Sequence, residues 1–163
     1  MRRFLLIVAV TLPALLVGAA VLASGSSAEG ETTRMLTFKE LERGSTFVHI
    51  RNTRGAPQQS NLVGDAIVFT NPLADAAGRV VGRLHVECTT TTGARNFMRS
   101  VMTCAGVLVL RDGTLTVQTT VRPDVATTTA AVTGGTGAYA NARGVLVSRE
   151  ASGGSNDTIT LVD

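Results

Sequence analysis

Leu108-Val109-Leu110-Arg111-Asp112-Gly113-Thr114-Leu115-Thr116-Val117 reads as two strands and the turn between them. Apolar and β-branched residues flank a two-residue signal, Asp112-Gly113. A type I′ turn needs positive φ, which aspartate and glycine tolerate, and such turns join neighbouring antiparallel strands. The stretch therefore predicts a β-hairpin. Working outward from it, no segment after Met35 sustains an apolar i, i+3, i+4 pattern with helix caps, so the whole region is expected to be all-β.

Strands are predicted over Met35 to Leu41, Thr46 to Arg51, Asp65 to Thr70, Val80 to Thr91, Phe97 to Arg111, Thr114 to Val121, Thr127 to Val132, Gly144 to Arg149 and Thr158 to Val162. They are rich in Val, Thr and Ile, which pack well on a pleated surface, and Gly, Asp, Asn and Pro punctuate them. Merging neighbours leaves about eight strands, enough for a closed meander that hides its edges. From pattern alone a sandwich remains the alternative to a barrel. An eight-stranded barrel has room for one small ligand.

The first residues are of another kind. Arg2 and Arg3 precede Phe4 to Ala23, where only Thr11, Pro13 and Gly18 fall outside the apolar set; the small residues Ala23-Ser24-Gly25-Ser26-Ser27-Ala28 follow. This is the pattern of a secretory signal cleaved after Ala28. The expected organisation is a signal peptide at 1–28, a lead with a first strand at 29–42, and a barrel at 43–163. An uncleaved segment of this length could instead anchor the chain in a membrane, its only expected membrane contact. Export makes the protein secreted. Cleavage takes away two arginines and no acid, lowering the formal charge from +3 to +1.

That small excess, with five Phe and one Tyr in the chain, argues against nucleic acid as a partner. Two histidines, His49 and His85, and two cysteines at no ligand spacing argue against a metal. No cofactor is expected. Cys88 and Cys104 are centred on Asn96, inside the turn-like Gly93-Ala94-Arg95-Asn96, so they would oppose each other across a hairpin. An exported chain meets an oxidising environment, and a disulfide is the favoured reading; a reactive thiol pair lacks the CxxC spacing.

Other segments have structural readings. Gly134-Gly135-Thr136-Gly137 is flanked by strands, which suits a turn with positive φ better than a phosphate loop at a helix N-terminus. Arg83, His85 and Glu87 alternate against Gly82, Leu84, Val86 and Cys88, as an outer strand face does against an inner one. Asp65 after Gly64 is expected to accept backbone hydrogen bonds.

Asn61-Leu62-Val63-Gly64-Asp65-Ala66-Ile67-Val68-Phe69-Thr70-Asn71-Pro72-Leu73 resembles the N-S-L-G-D-x-x-x-F-T-N-x-L run of allene oxide cyclases. Val81-Gly82-Arg83 and Gly134-Gly135-Thr136-Gly137-Ala138-Tyr139-Ala140-Asn141-Ala142-Arg143-Gly144 are similar to segments of plant dirigent proteins. The resemblance runs from about His49 to Val162 and suits an exported bacterial member. It implies an eight-stranded antiparallel β-barrel with a hydrophobic cavity, commonly a homotrimer. It further implies that Asn71 matches an asparagine holding a water in the cyclase site, that Pro57 matches a cavity proline, and that Cys88 matches a cavity cysteine. His49 falls at the position of the cyclase glutamate and Val121 at that of a cavity tyrosine. Arg143 lies in the A-R-G segment as a cavity arginine would, and Asn71 stands where dirigent proteins carry an aspartate.

The candidate catalytic residues are therefore His49, Asn71 and Arg143, and the candidate ligand-binding residues are Pro57, Asn71 and Val121. Two functions follow. One is an exported barrel that binds a small hydrophobic or phenolic molecule and steers its cyclisation or stereoselective coupling, mainly by confinement. The other is a noncatalytic exported binding or structural module that keeps the barrel without the chemistry.

Overall fold

The computed structural model describes residues 33–162. The predicted signal at 1–28 lies outside them. Nine strands run in chain order: β1 (Thr33–Leu41), β2 (Thr46–Ile50), β3 (Ala66–Ala74), β4 (Val80–Thr92), β5 (Val101–Leu110), β6 (Gly113–Val121), β7 (Thr127–Gly135), β8 (Arg143–Ala151) and β9 (Gly154–Val162). From β3 to β9 each strand pairs antiparallel with the next, and β1 pairs with β9 along its whole length. β1 also pairs with β3 through Lys39–Ala74 and Glu40–Leu73, which closes an eight-stranded barrel. β2 is extra to that ring. It occupies the same edge of β3 further along, from Thr46–Thr70 to Ile50–Ala66. Pro72, which has no N–H to give, falls between the two, where this edge of β3 has no paired residue.

Alternation carries the barrel. On β5, Met102, Cys104 and Leu108 are buried while Thr103, Ala105, Val107 and Val109 are exposed, so one face of each strand fills the interior and the other faces water. Leu73, Leu108, Leu115, Ile159 and Leu161 are almost wholly buried and plug one end together with Tyr139, over whose ring the Arg34 guanidinium lies at 5.0 Å. A second cluster, Ile67, Cys88, Met102 and Cys104, lines the wall further along. Cys88 and Cys104 are direct partners in the β4–β5 ladder and form a disulfide. Among the described residues no helix is long and apolar enough to cross a membrane.

Several predicted boundaries move. The turn between β5 and β6 sits one residue earlier, on Arg111-Asp112, with Leu110 facing Gly113. Asp112 does not take positive φ; Gly113 does, at +149°, and a Cβ there would collide with the Thr136 carbonyl. Phe97–Arg99 is a 3-10 turn rather than strand, because the Asn96 side chain accepts a hydrogen bond from the Met98 amide at 3.0 Å and starts a turn. β9 begins four residues before its predicted start, since Gly154 to Asp157 has a loop-like composition but pairs with β1 and β8 throughout. Gly134 and Gly135 belong to β7, and Gly137 alone of that run takes positive φ.

Candidate functional site

Between the leucine plug and the opposite mouth the barrel holds a cavity of about 350 Å³, within the range of small-molecule sites. Its wall is apolar: Leu84, Val117, Ala130 and Leu146 form the floor, and Ile67, Phe69, Met102, Val121 and the Cys88–Cys104 disulfide the sides. The mouth is framed by Phe47 on β2 and by Arg122, Pro123 and Val125 on the β6–β7 connection. Arg122 is paired with Asp124.

One side of the cavity is polar. Leu36, Phe38 and Glu40 share a face of β1, and the same alternation that half-buries the first two directs Glu40 inward. The Asn71 side-chain amide donates to the Glu40 carboxylate at 2.5 Å. On β8 the cavity-facing series is Leu146, Ser148 and Glu150, and Ser155 on β9 completes the polar strip. Asp157 stands behind it, paired in register with Ser148 and Phe38 and only 2% exposed. Its oxygens make no hydrogen bond of ordinary length, and the Glu40 carboxyl and Ser148 hydroxyl are the polar groups beside it. Burial, then the charge of the neighbouring Glu40, pushes the Asp157 carboxyl up to about 8, so it holds its proton at neutral pH. The polar strip thus sets Glu40, anchored by Asn71, in front of a buried acid that keeps its proton.

The residues singled out from sequence are spread over the molecule. Asn71, Val121, Cys88 and Cys104 line the cavity. His49 is outside its lining; it packs edge-on to Phe97, ring centroids 6.1 Å apart, with Nε2 3.8 Å from an Asp65 carboxylate oxygen. Asp65 accepts hydrogen bonds from the Asn52 and Leu62 amides, both at 2.8 Å. Burial opposes the charge on Asp65, but these two amides, with His49 and Arg51 nearby, together outweigh it and hold the carboxyl below its usual value. Pro57 belongs to the loop between β2 and β3, where its carbonyl accepts from Arg51 and Ser60. Arg143 opens β8 on the outer surface and donates to the Thr133 and Ala142 carbonyls at 2.9 Å. Glu40 and Asp157 are absent from the sequence reading. Their signal was alternation: Glu40 continues Leu36 and Phe38, and Asp157 precedes Ile159 and Leu161 at the same spacing. Among the described residues no group of three or more His, Cys, Asp or Glu side chains is arranged to hold a metal.

Comparison with known proteins places this architecture. Residues 45–159 match the allene oxide cyclase barrel like domain. The chain belongs to that family. Pyocyanin demethylase is similar in structure, with a TM-score of 0.62 and 25% identity over 80% of this chain and 99% of its own. The pterocarpan synthase dirigent protein GePTS1 superposes with a TM-score of 0.58 at 16% identity, over 81% of this chain and 89% of its own. The Diels-Alderase AbmU from Streptomyces koyangensis gives 0.56 at 14% identity, over 83% and 70%. The last two share the fold. Among curated protein sequences none matches the chain.

Proposed function

We propose that this member of the allene oxide cyclase barrel like family binds a small hydrophobic or phenolic molecule in its cavity and steers its cyclisation or coupling. The observation that carries the reading is the Glu40 carboxylate, fixed by Asn71 at the edge of an otherwise apolar chamber. A chamber of this size restricts a flexible substrate to few conformations, and that restriction supplies most of the rate and the stereochemistry. Glu40 accepts a proton or stabilises a developing positive charge, and a proton it takes up leaves with the product or to solvent; Asp157, protonated beside it, keeps a second negative charge out of the site. Asn71 is a positioning residue for Glu40. The protein works after export, a reading supported by its disulfide.

The test is turnover of a panel of reactive hydrophobic substrates, including an unsaturated fatty-acid epoxide, a quinone methide, an activated diene and pyocyanin, followed by chiral chromatography. Enantiomeric or regiochemical bias above the uncatalysed reaction is expected from the native protein. Glu40→Gln should lower the rate by about 10²-fold or more, the range for a positioned acid or base, while leaving the thermal midpoint within a few degrees. Tight binding without any bias in product would leave a noncatalytic binding module.

A further inference from the structure

Resting on that reading of the cavity, we infer that its ligand is an apolar organic cation, a protonated amine or a quaternised aromatic ring, rather than an anionic or neutral molecule. Three charged side chains line the chamber: Glu40, Glu150 and Arg122. Arg122 is already neutralised by Asp124 at the mouth. The chamber therefore presents two acids, Glu40 inside and Glu150 exposed at its edge, and its one base is ion-paired. Glu40 and Glu150 are on the same polar strip, joined by Ser148 and Ser155, whose hydroxyls are compatible with either sign of charge.

A second observation is independent of that count. Asp157 is buried on the inward face of β9, in register with Phe38 on β1 and Ser148 on β8; its oxygens make no hydrogen bond of ordinary length, and the Glu40 carboxyl and Ser148 hydroxyl are its polar neighbours. Two acids this close do not both ionise in a buried place, so Asp157 stays neutral beside Glu40. A cationic head drawn to Glu40 would offset the repulsion between them and let Asp157 ionise. Inorganic cations are poorly suited, because among the described residues the acids are not grouped as metal ligands and most of the remaining wall is aliphatic and aromatic. An apolar body with one positive end satisfies both halves of the chamber. A fatty carboxylate would meet Glu40 and Glu150 with like charge.

Three naphthalene probes of nearly equal size separate the alternatives: 1-naphthylmethylammonium, 1-naphthylmethanol and 1-naphthoate, each titrated calorimetrically into the protein at pH 7 and low salt. The ammonium is expected to bind about tenfold tighter than the alcohol, and the naphthoate weakest, as one well-placed charge contact allows. Glu40→Gln and, separately, the more exposed Glu150→Gln should each pull the ammonium-to-alcohol ratio toward one. Binding of the ammonium should also release a proton, seen as a heat that changes with the ionisation enthalpy of the buffer. Equal affinities for all three probes, or naphthoate bound most tightly, would overturn the charge preference while leaving a ligand-binding barrel. No binding of any probe would overturn both this inference and the proposed function.

Discussion

Asp157 shows how one residue can reveal a site through its cost. The folded protein holds a proton there up to about pH 8, whereas in the unfolded chain the carboxyl ionises near its ordinary value of 3.8. Between those two values unfolding releases a proton, so raising the pH favours unfolding, by at most about 1.4 kcal/mol per pH unit for one group. Below pH 4 both states are protonated and the effect vanishes. Asp157→Asn removes the ionisation and keeps the shape. Its thermal midpoint should therefore gain on the native protein progressively from pH 4 to pH 8, then run parallel above that. A gap that stays constant across the range, or widens toward acid, would show that Asp157 is ionised in the fold. Glu40 on β1 and Ser148 on β8 are the polar groups packed against it, so in the same scan on Glu40→Gln the loss of stability should level off at a lower pH. Asp65 works in the opposite sense, because its carboxyl is held below the ordinary value and the stability it gives is lost as the pH falls.

At the scale of elements, the β4–β5 hairpin ties the cavity wall to the chain's only two cysteines. Sixteen positions separate Cys88 from Cys104, and closing a loop of that size restricts the unfolded chain by about 3 kcal/mol. The double substitution Cys88→Ala/Cys104→Ala should lower stability by about that amount in chemical denaturation. Because both side chains line the chamber, probe affinity should fall as well, whereas reduction of a surface disulfide would leave it unchanged. This hairpin was legible in the sequence because its alternation is strict and its cysteines are centred on a turn. β9 was only half legible. Ile159 and Leu161 mark its inward face, but Gly154-Ser155-Asn156-Asp157 is loop-like in composition, and ladder pairing on both sides overrides that preference. The same half of β9 bears Asp157, so the residue was lost with the strand end. Glu40 was lost differently: its strand was read correctly, yet a charged residue closing an apolar alternation is ordinarily taken as surface. Only the β1–β3 closure, which depends on residues more than thirty positions apart, turns it into the cavity.

For the whole molecule, closure is the decisive property, and it rests on a strand that precedes the family match at residue 45. β1 lies against β9 from Thr33–Val162 to Leu41–Gly154 and against β3 at Lys39 and Glu40. Without it β9 and β3 would each expose an unpaired edge, and such edges recruit other chains. The interior would also lose Leu36, Phe38 and Glu40 from its lining. β2, already seated on the edge of β3, is the one element positioned to slide into the gap, but its five residues cannot span the nine that β1 contributes. Deleting residues 33–41 should therefore abolish the single cooperative transition followed by far-ultraviolet circular dichroism. It should also give concentration-dependent association on size exclusion. A cooperative, monomeric deletion variant would mean that β2 does replace β1; if that variant still bound the naphthyl ammonium with full affinity, Glu40 could not be the group that holds it.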